Sequence, residues 1–266
     1  MAEMNNAADE RPMIEFRGTG KSFGALKVLE RVDLQVARGE FLVLLGASGC
    51  GKSTMLNLVS GFERASAGSV WVNGREVKDV DPACGMVFQQ YALFPWKTVR
   101  ENVEFGLKMR GVARAERARV ARHYIEMVGL KGFEDSFPNK LSGGMKQRVS
   151  IARVLANDPD VMLFDEPFAA LDAMTRQVLQ EQLLQIYEKS GKTVIFITHS
   201  IDEALMLSTR MVVMGAKPGR VVQDISNDLP HPRTAEVQLS PRYIELKRSI
   251  WETVQVEVMK GLEGVK

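Results

Sequence analysis

The sequence predicts an α/β fold with a mostly parallel sheet, an N-terminal antiparallel β-subdomain and an inserted α-helical subdomain. Three observations predict it. Apolar runs of strand length, FLVLLG, VMLF and TVIFI, alternate with segments of helical spacing, the pattern of a parallel sheet joined by crossover helices. Ahead of them, MIEFRGTGKSF and LERVDLQV alternate apolar and polar positions, as half-exposed antiparallel strands do. Between the first and second apolar runs, TVRENVEFGLKM and RAERARVARHYIEMVGL carry helical spacing with no convincing strand.

Residues 1–12, MAEMNNAADERP, are polar, are expected to be disordered and lack the apolar centre of a signal peptide. The main domain is expected over 13–230. FLVLLGASGCGKSTMLNLVSGF runs from strand through a glycine loop into a helix, and SVWVNG and CGMVFQQ are short strand candidates. The helical subdomain is expected at about 95–155. After it come the strand VMLFDEP, a helix over about 173–189, the strand TVIFITHS, a helix over 201–207 and the strand MVVMGA. The extension, 231–266, holds one long helix with Ser240 as N-cap and Pro241 at the first helical position. Tyr243, Leu246, Ile250, Val254 and Val258 share a face that should pack on the domain.

The chain has 266 residues with 45% apolar content, enough for one large α/β domain with a buried core. Its 35 basic and 33 acidic residues leave a net charge of +2, which offers no electrostatic footprint for nucleic acid, so no nucleic-acid partner is expected. Two cysteines, Cys50 and Cys84, make neither a disulfide framework nor a zinc site, which points to a reducing cytoplasm. No apolar run approaches the ~20 residues needed to span a bilayer, so the chain should be soluble by itself.

GASGCGKST, comprising Gly46, Ala47, Ser48, Gly49, Cys50, Gly51, Lys52, Ser53 and Thr54, fits G-x-x-x-x-G-K-[ST] in the strand–loop–helix context that the motif requires. Backbone N–H groups of such a loop cradle phosphates, Lys52 would reach the β- and γ-phosphates, and the Ser53 hydroxyl would bind Mg²⁺. VMLFDEP delivers Asp165 and Glu166 at the C-terminal end of a strand, the ligand-binding edge of a parallel sheet. Asp165 would hold the Mg²⁺ shell and Glu166 would polarise a water for attack on the γ-phosphate. His199, after TVIFIT, lies on the same edge, to contact the γ-phosphate or to orient Glu166 and its water.

Other residues read two ways. Gln89, closing CGMVFQQ, reads first as an ordinary strand end and second as a contact to metal or attacking water. Phe23, beside Gly24, suits stacking on adenine or plain core. Arg110, Arg114, Arg117, Arg119 and Arg122, with Glu116 among them, read first as a solvated helix face and second as a partner contact. LSGGMKQR places Ser142, Gly143 and Gly144 at a helix start, which alone reads first as a flexible turn and second as an anion site.

Taken together, these residues make the chain resemble an ATP-binding cassette (ABC) ATPase over roughly residues 14–219, with a P-loop NTPase core. GASGCGKST resembles its Walker A loop, Gln89 its Q-loop, LSGGMKQR its signature, VMLFDEP its Walker B strand, ALD at 170–172 its D-loop and His199 its switch histidine. Ala47 stands where proline is frequent and Phe23 where tyrosine is most often found. QQYALFPWKTVRENV, DEPFAALDAMTR and ITHSIDEALMLSTRMVVMGAKPGRV resemble the ATPases of nitrate, sulfonate and taurine importers. The resemblance implies an ATP-hydrolysing importer subunit using ATP and Mg²⁺. It also implies a homodimer on the cytoplasmic face of the membrane, bound to permease subunits and served indirectly by a solute-binding protein. Ser142, Gly143 and Gly144 would then face the nucleotide of the other subunit. A soluble ABC ATPase with no permease, or a P-loop small-molecule kinase, is the alternative; a kinase has no use for LSGGMKQR.

Overall fold

Two units divide the chain, one formed by Met1–Asp81 with Gly191–Lys266 and the other by Pro82–Ser190. The computed structural model describes residues 11–169, 171–231 and 233–263. Ten of the twelve residues expected to be disordered, and Ala170 of the ALD motif, lie outside those described.

The first unit contains an antiparallel sheet of order β2 (Leu26–Val36), β1 (Ile14–Phe23), β4 (Ala67–Val72) and β5 (Arg75–Glu76). One face is buried through Ile14, Phe16, Leu34 and Val36, the alternation read in the sequence. Its second set of strands runs β10 (Arg220–Ser226), β9 (Arg210–Gly215), β3 (Phe41–Gly46), β8 (Thr193–Ile197), with β3 parallel to both β8 and β9 and β10 antiparallel to β9. All six residues of β3 are buried, which explains its unbroken apolar run: a strand covered on both faces has no polar side. Helices α1 (Lys52–Ser60), α6 (Ile201–Leu207) and α7 (Pro241–Glu263) complete the unit.

Two features here differ from the sequence reading. Strand β10 has a half-exposed alternating pattern that carries no apolar run and was not anticipated. On α7, Tyr243, Leu246 and Ile250 are buried as expected, but Val258 is exposed and Glu257 is buried in its place. The carboxylate of Glu257 is matched there by Arg220 at 3.3 Å and Lys260 at 2.8 Å, which offsets the cost of burying it.

The second unit pairs β6 (Cys84–Val87) in parallel with β7 (Val161–Asp165) and holds α2 (Val99–Met109), α3 (Arg114–Met127), a 3-10 turn (Pro138–Lys140), α4 (Gly143–Leu155) and α5 (Ala173–Ser190). Helix α2 begins with a capping box: Thr98 Oγ1 accepts from the Glu101 N–H and a Glu101 carboxylate oxygen accepts from the Thr98 N–H. Backbone donation at Thr98 holds the Glu101 carboxyl below its usual range. Val103, Leu107, Ala121, Ile125, Val149 and Ala152 of α2, α3 and α4 are buried. The arginine run is not one solvated face. Arg119 is exposed and pairs with Glu116, whereas Arg117 is turned inward, 3.6 Å from Glu104 with both side chains largely covered.

Candidate functional site

Glycine geometry shapes the loop between β3 and α1. Gly46, Gly49 and Gly51 all have positive φ, at 152°, 79° and 93°. At Gly46 a Cβ would stand 2.6 Å from the Met214 carbonyl oxygen, and at Gly51 one would stand 2.5 Å from Leu29 Cδ2. Gly51 is also the N-cap of α1, without a side-chain cap hydrogen bond. Lys52 is buried, and its ammonium donates to the carbonyls of Gly46 at 2.8 Å and Ala47 at 3.0 Å, which keeps the charge inside the curve of the loop. Burial pushes the Cys50 thiol up, so it stays protonated. Ser48, Gly49 and Ser53 are exposed and Thr54 is half-buried.

In the same unit His199 follows β8, with Nδ1 3.3 Å from the Gly46 carbonyl oxygen, which brings the histidine to the first residue of the loop. Phe23 ends β1 and is 46% exposed, with the Lys21 ammonium 4.6 Å from its ring centre, so the core reading of this aromatic fails.

In the other unit β7 ends at Asp165, which is half-buried, and Glu166 follows with φ of 46°. A left-handed backbone at a non-glycine residue costs about 1–2 kcal/mol, and such strain concentrates where a side chain must be aimed. Glu166 Oε2 accepts a hydrogen bond from Gln89 Nε2 at 3.3 Å, so these two predicted residues, 77 positions apart, meet. The chain beyond Gln89 is tied to α2 by Asn102. This buried side chain donates to the carbonyls of Phe94, Lys97 and Thr98 and accepts from the Phe94 N–H.

Ser142 caps α4, its Oγ accepting from the Met145 N–H at 3.3 Å, and Gly143 and Gly144 are the first two helical residues. Neither glycine has positive φ. Close approach applies at Gly143 and not at Gly144, where a Cβ would meet ordinary van der Waals contacts. A Cβ on Gly143 would lie 2.9 Å from the Tyr91 hydroxyl, and one on Gly144 would lie 3.4 Å from Leu171 and Thr175.

Sequence reasoning missed the support under the phosphate loop. Gly219, in the turn after β9, exchanges backbone hydrogen bonds with Val28 and Glu30 around Leu29, and a Cβ on it would sit 2.1 Å from the Cys50 carbonyl oxygen. The Pro-Gly pair in AKPGR marks a turn, but nothing local marks its neighbour.

These features suit a polyphosphate: a buried ammonium, a helix N-terminus and a backbone cradle from which Cβ atoms are excluded. Within the second unit Gln89 and Asp165 carry side-chain oxygens, and within the first Ser53 carries a hydroxyl, the donor type that a hard cation takes. Among the described residues no helix is long and apolar enough to cross a membrane.

Residues 29–169 match the ABC transporter family. An uncharacterised ABC transporter ATP-binding protein of Methanocaldococcus jannaschii is 47% identical over 251 residues, covering 94% of this chain and 91% of that one. The taurine import ATP-binding protein TauB of Roseobacter denitrificans is 43% identical over 90% of this chain and 91% of its own. The aliphatic sulfonates import ATP-binding protein SsuB of Bacillus cereus is 43% identical over 86% of this chain and 89% of its own. Among solved structures, the ATP-binding cassette MJ0796, a dimer in a post-hydrolysis state bound to ADP and Pi, superposes with a TM-score of 0.72 at 34% identity, over 80% of this chain and 98% of that one.

Proposed function

From the premise that this chain belongs to the ABC transporter family and is an ATP-hydrolysing P-loop protein, we propose that it is the energising subunit of an importer for a small organic or inorganic oxyanion. The observation that carries the reading is the loop of residues 46–54, with Lys52 drawn into its curve. Its N–H groups and the α1 N-terminus bind the phosphates of ATP, and Lys52 neutralises the β- and γ-phosphates. Phe23, exposed at the end of β1, stacks on adenine.

Glu166 is the general base for the attacking water, and Gln89, bonded to its carboxylate, sets its orientation and reports nucleotide state to the helices that follow. His199 holds the γ-phosphate side of the site. Ser53, Asp165 and Gln89 would hold Mg²⁺, which when bound supplies charge neutralisation on the phosphate oxygens. Catalysis of this kind rests on positioning and charge.

The chain works as a homodimer, as MJ0796 is a dimer, with Ser142, Gly143 and Gly144 of one subunit turned to the nucleotide of the other. ATP binding closes the pair and hydrolysis reopens it, shifting a permease between two forms at the cytoplasmic face of the membrane. A separate solute-binding protein delivers the anion. The oxyanion class is supported by likeness to TauB and SsuB.

The test is Glu166→Gln. ATP binding should persist while hydrolysis falls by about 10²–10⁴-fold, the contribution of a positioned general base. Gel filtration with ATP should show the variant accumulating at twice the mass of the chain. Near-normal turnover would remove the general-base role, and a monomer at saturating ATP would remove the closed dimer. Oxyanions should then stimulate hydrolysis by the complex reconstituted with permease and binding protein; sugars or cations doing so would exclude the proposed class.

A further inference from the structure

Between His199 and the C-terminal extension lies a helix too short to hold itself. α6 has seven residues, below the length at which a helix is stable alone, so its position is set by what grips it. Its first turn is bonded directly to the residues flanking His199. Ser200 Oγ accepts from the Glu203 N–H at 3.2 Å, Thr198 Oγ1 accepts from the Ser200 N–H at 3.0 Å, and the Thr198 hydroxyl donates to the buried Glu203 carboxylate. Wherever α6 goes, the backbone on both sides of the histidine goes with it.

Residues that follow β10 grip α6 at both ends. At its C-terminal end the buried Asn227 side chain donates to the carbonyls of Leu205 and Ser208, each at 2.9 Å, and the buried Arg233 guanidinium donates to the Ser208 carbonyl. At the N-terminal end a single carboxylate oxygen, Asp202 Oδ1, accepts from the Tyr243 hydroxyl at 2.6 Å and from the Lys247 ammonium at 2.6 Å, both on α7. Partial burial pushes the Asp202 carboxyl up, yet the Lys247 and Tyr243 hydrogen bonds outweigh it and hold the group ionised. Burial also pushes the Tyr243 phenol up, so it remains a donor. Helix α7 is itself anchored by buried Leu246 and Ile250 and by the Thr253–Gln223 hydrogen bond to β10.

We propose that Asp202, held by Tyr243 and Lys247, is a positioning residue for His199, so that the C-terminal helix sets the rate of hydrolysis through α6. The inference rests on the role given to His199 above. It assigns the extension a task in turnover that its packing alone does not require: a helix that merely covers apolar surface needs no charge-assisted pair of bonds aimed at the first turn of α6.

The test is a double-mutant cycle of Asp202→Ala with His199→Ala, read as kcat and KM for ATP in the full chain. Asp202→Ala should lower kcat about ten-fold, the value of one charge-assisted hydrogen bond, with KM changed less than about two-fold, because the phosphate loop is untouched. In the His199→Ala background the same change should alter kcat by less than about two-fold. Tyr243→Phe, which removes one hydroxyl and keeps the ring packed, should reproduce part of the kcat loss with a melting temperature lowered by no more than about 4 °C, and Lys247→Arg should retain activity. Effects of Asp202→Ala and His199→Ala that multiply independently would overturn the proposal, as would a Tyr243→Phe chain with full kcat. A wild-type kcat in His199→Ala is a separate result: it removes the histidine's role, and with it the premise on which Asp202 was assigned.

Discussion

Two helices in this chain begin at glycines, and they begin there for different reasons. Ahead of α1 the glycines are required by backbone conformation: Gly46, Gly49 and Gly51 all have positive φ, and α1 starts from a left-handed glycine cap with no side chain bonded to it. At α4 the backbone is ordinary. Gly143 and Gly144 sit in right-handed helix behind a serine cap, and of the two only Gly143 has a close neighbour, the Tyr91 hydroxyl. One loop is shaped to wrap a ligand; the other is a normal helix start kept bare on one side. Both are helix N-termini, to which the proposed function assigns an anion, yet they should fail in different ways when altered.

The largest effect is expected at Lys52, whose buried ammonium lies inside its own loop against the carbonyls of Gly46 and Ala47. Lys52→Ala should weaken ATP binding by about ten- to hundred-fold, the range for losing a charge-assisted hydrogen bond, measured by titration calorimetry. Unchanged affinity would break the comparison at its root. Next comes Gly51→Ala, which combines left-handed φ with a 2.5 Å clash against Leu29. It should cost about 1–3 kcal/mol in urea unfolding and most nucleotide affinity, and adding Leu29→Ala should not restore either, because relieving the clash leaves the backbone strained. The smallest effect is Gly143→Ala, costing about 1 kcal/mol or less, since its neighbour is one hydroxyl at 2.9 Å. Here Gly143→Ala with Tyr91→Phe should recover stability. If the pair at α4 fails to recover while the pair at α1 succeeds, the two reasons have been assigned the wrong way round.

The strand, loop and helix around 46–54, the carboxylates at the end of β7 and the helix start at 143 were legible because their form is local: spacing along a few residues specifies a strand, a turn and a helix start. What escaped was set by partners distant in sequence. Nothing near Glu257 announces that Arg220, 37 residues earlier, makes it an inward position in place of Val258. Arg117 reads as one more arginine on a polar face until Glu104 of the neighbouring helix draws it in. Strand β10 was invisible for a different reason. As the outer strand beside β9 it buries none of its residues fully, so the apolar signal that marks β3 and β8 is missing. The reason for Gly143 was likewise unreadable, because Tyr91 stands 52 positions away.

Surface turns between antiparallel strands are the usual places to splice in a tag, a fluorophore site or a foreign loop. The turn at 216–219, between β9 and β10, looks like such a place, but Gly219 presses against the Cys50 carbonyl and bonds to the backbone around Leu29. An insertion there would lift the floor under the loop of residues 46–54. For protein engineers, and for natural variation by insertion, this hairpin tip is therefore closed ground, and its tolerance is set by a loop distant in sequence that it supports.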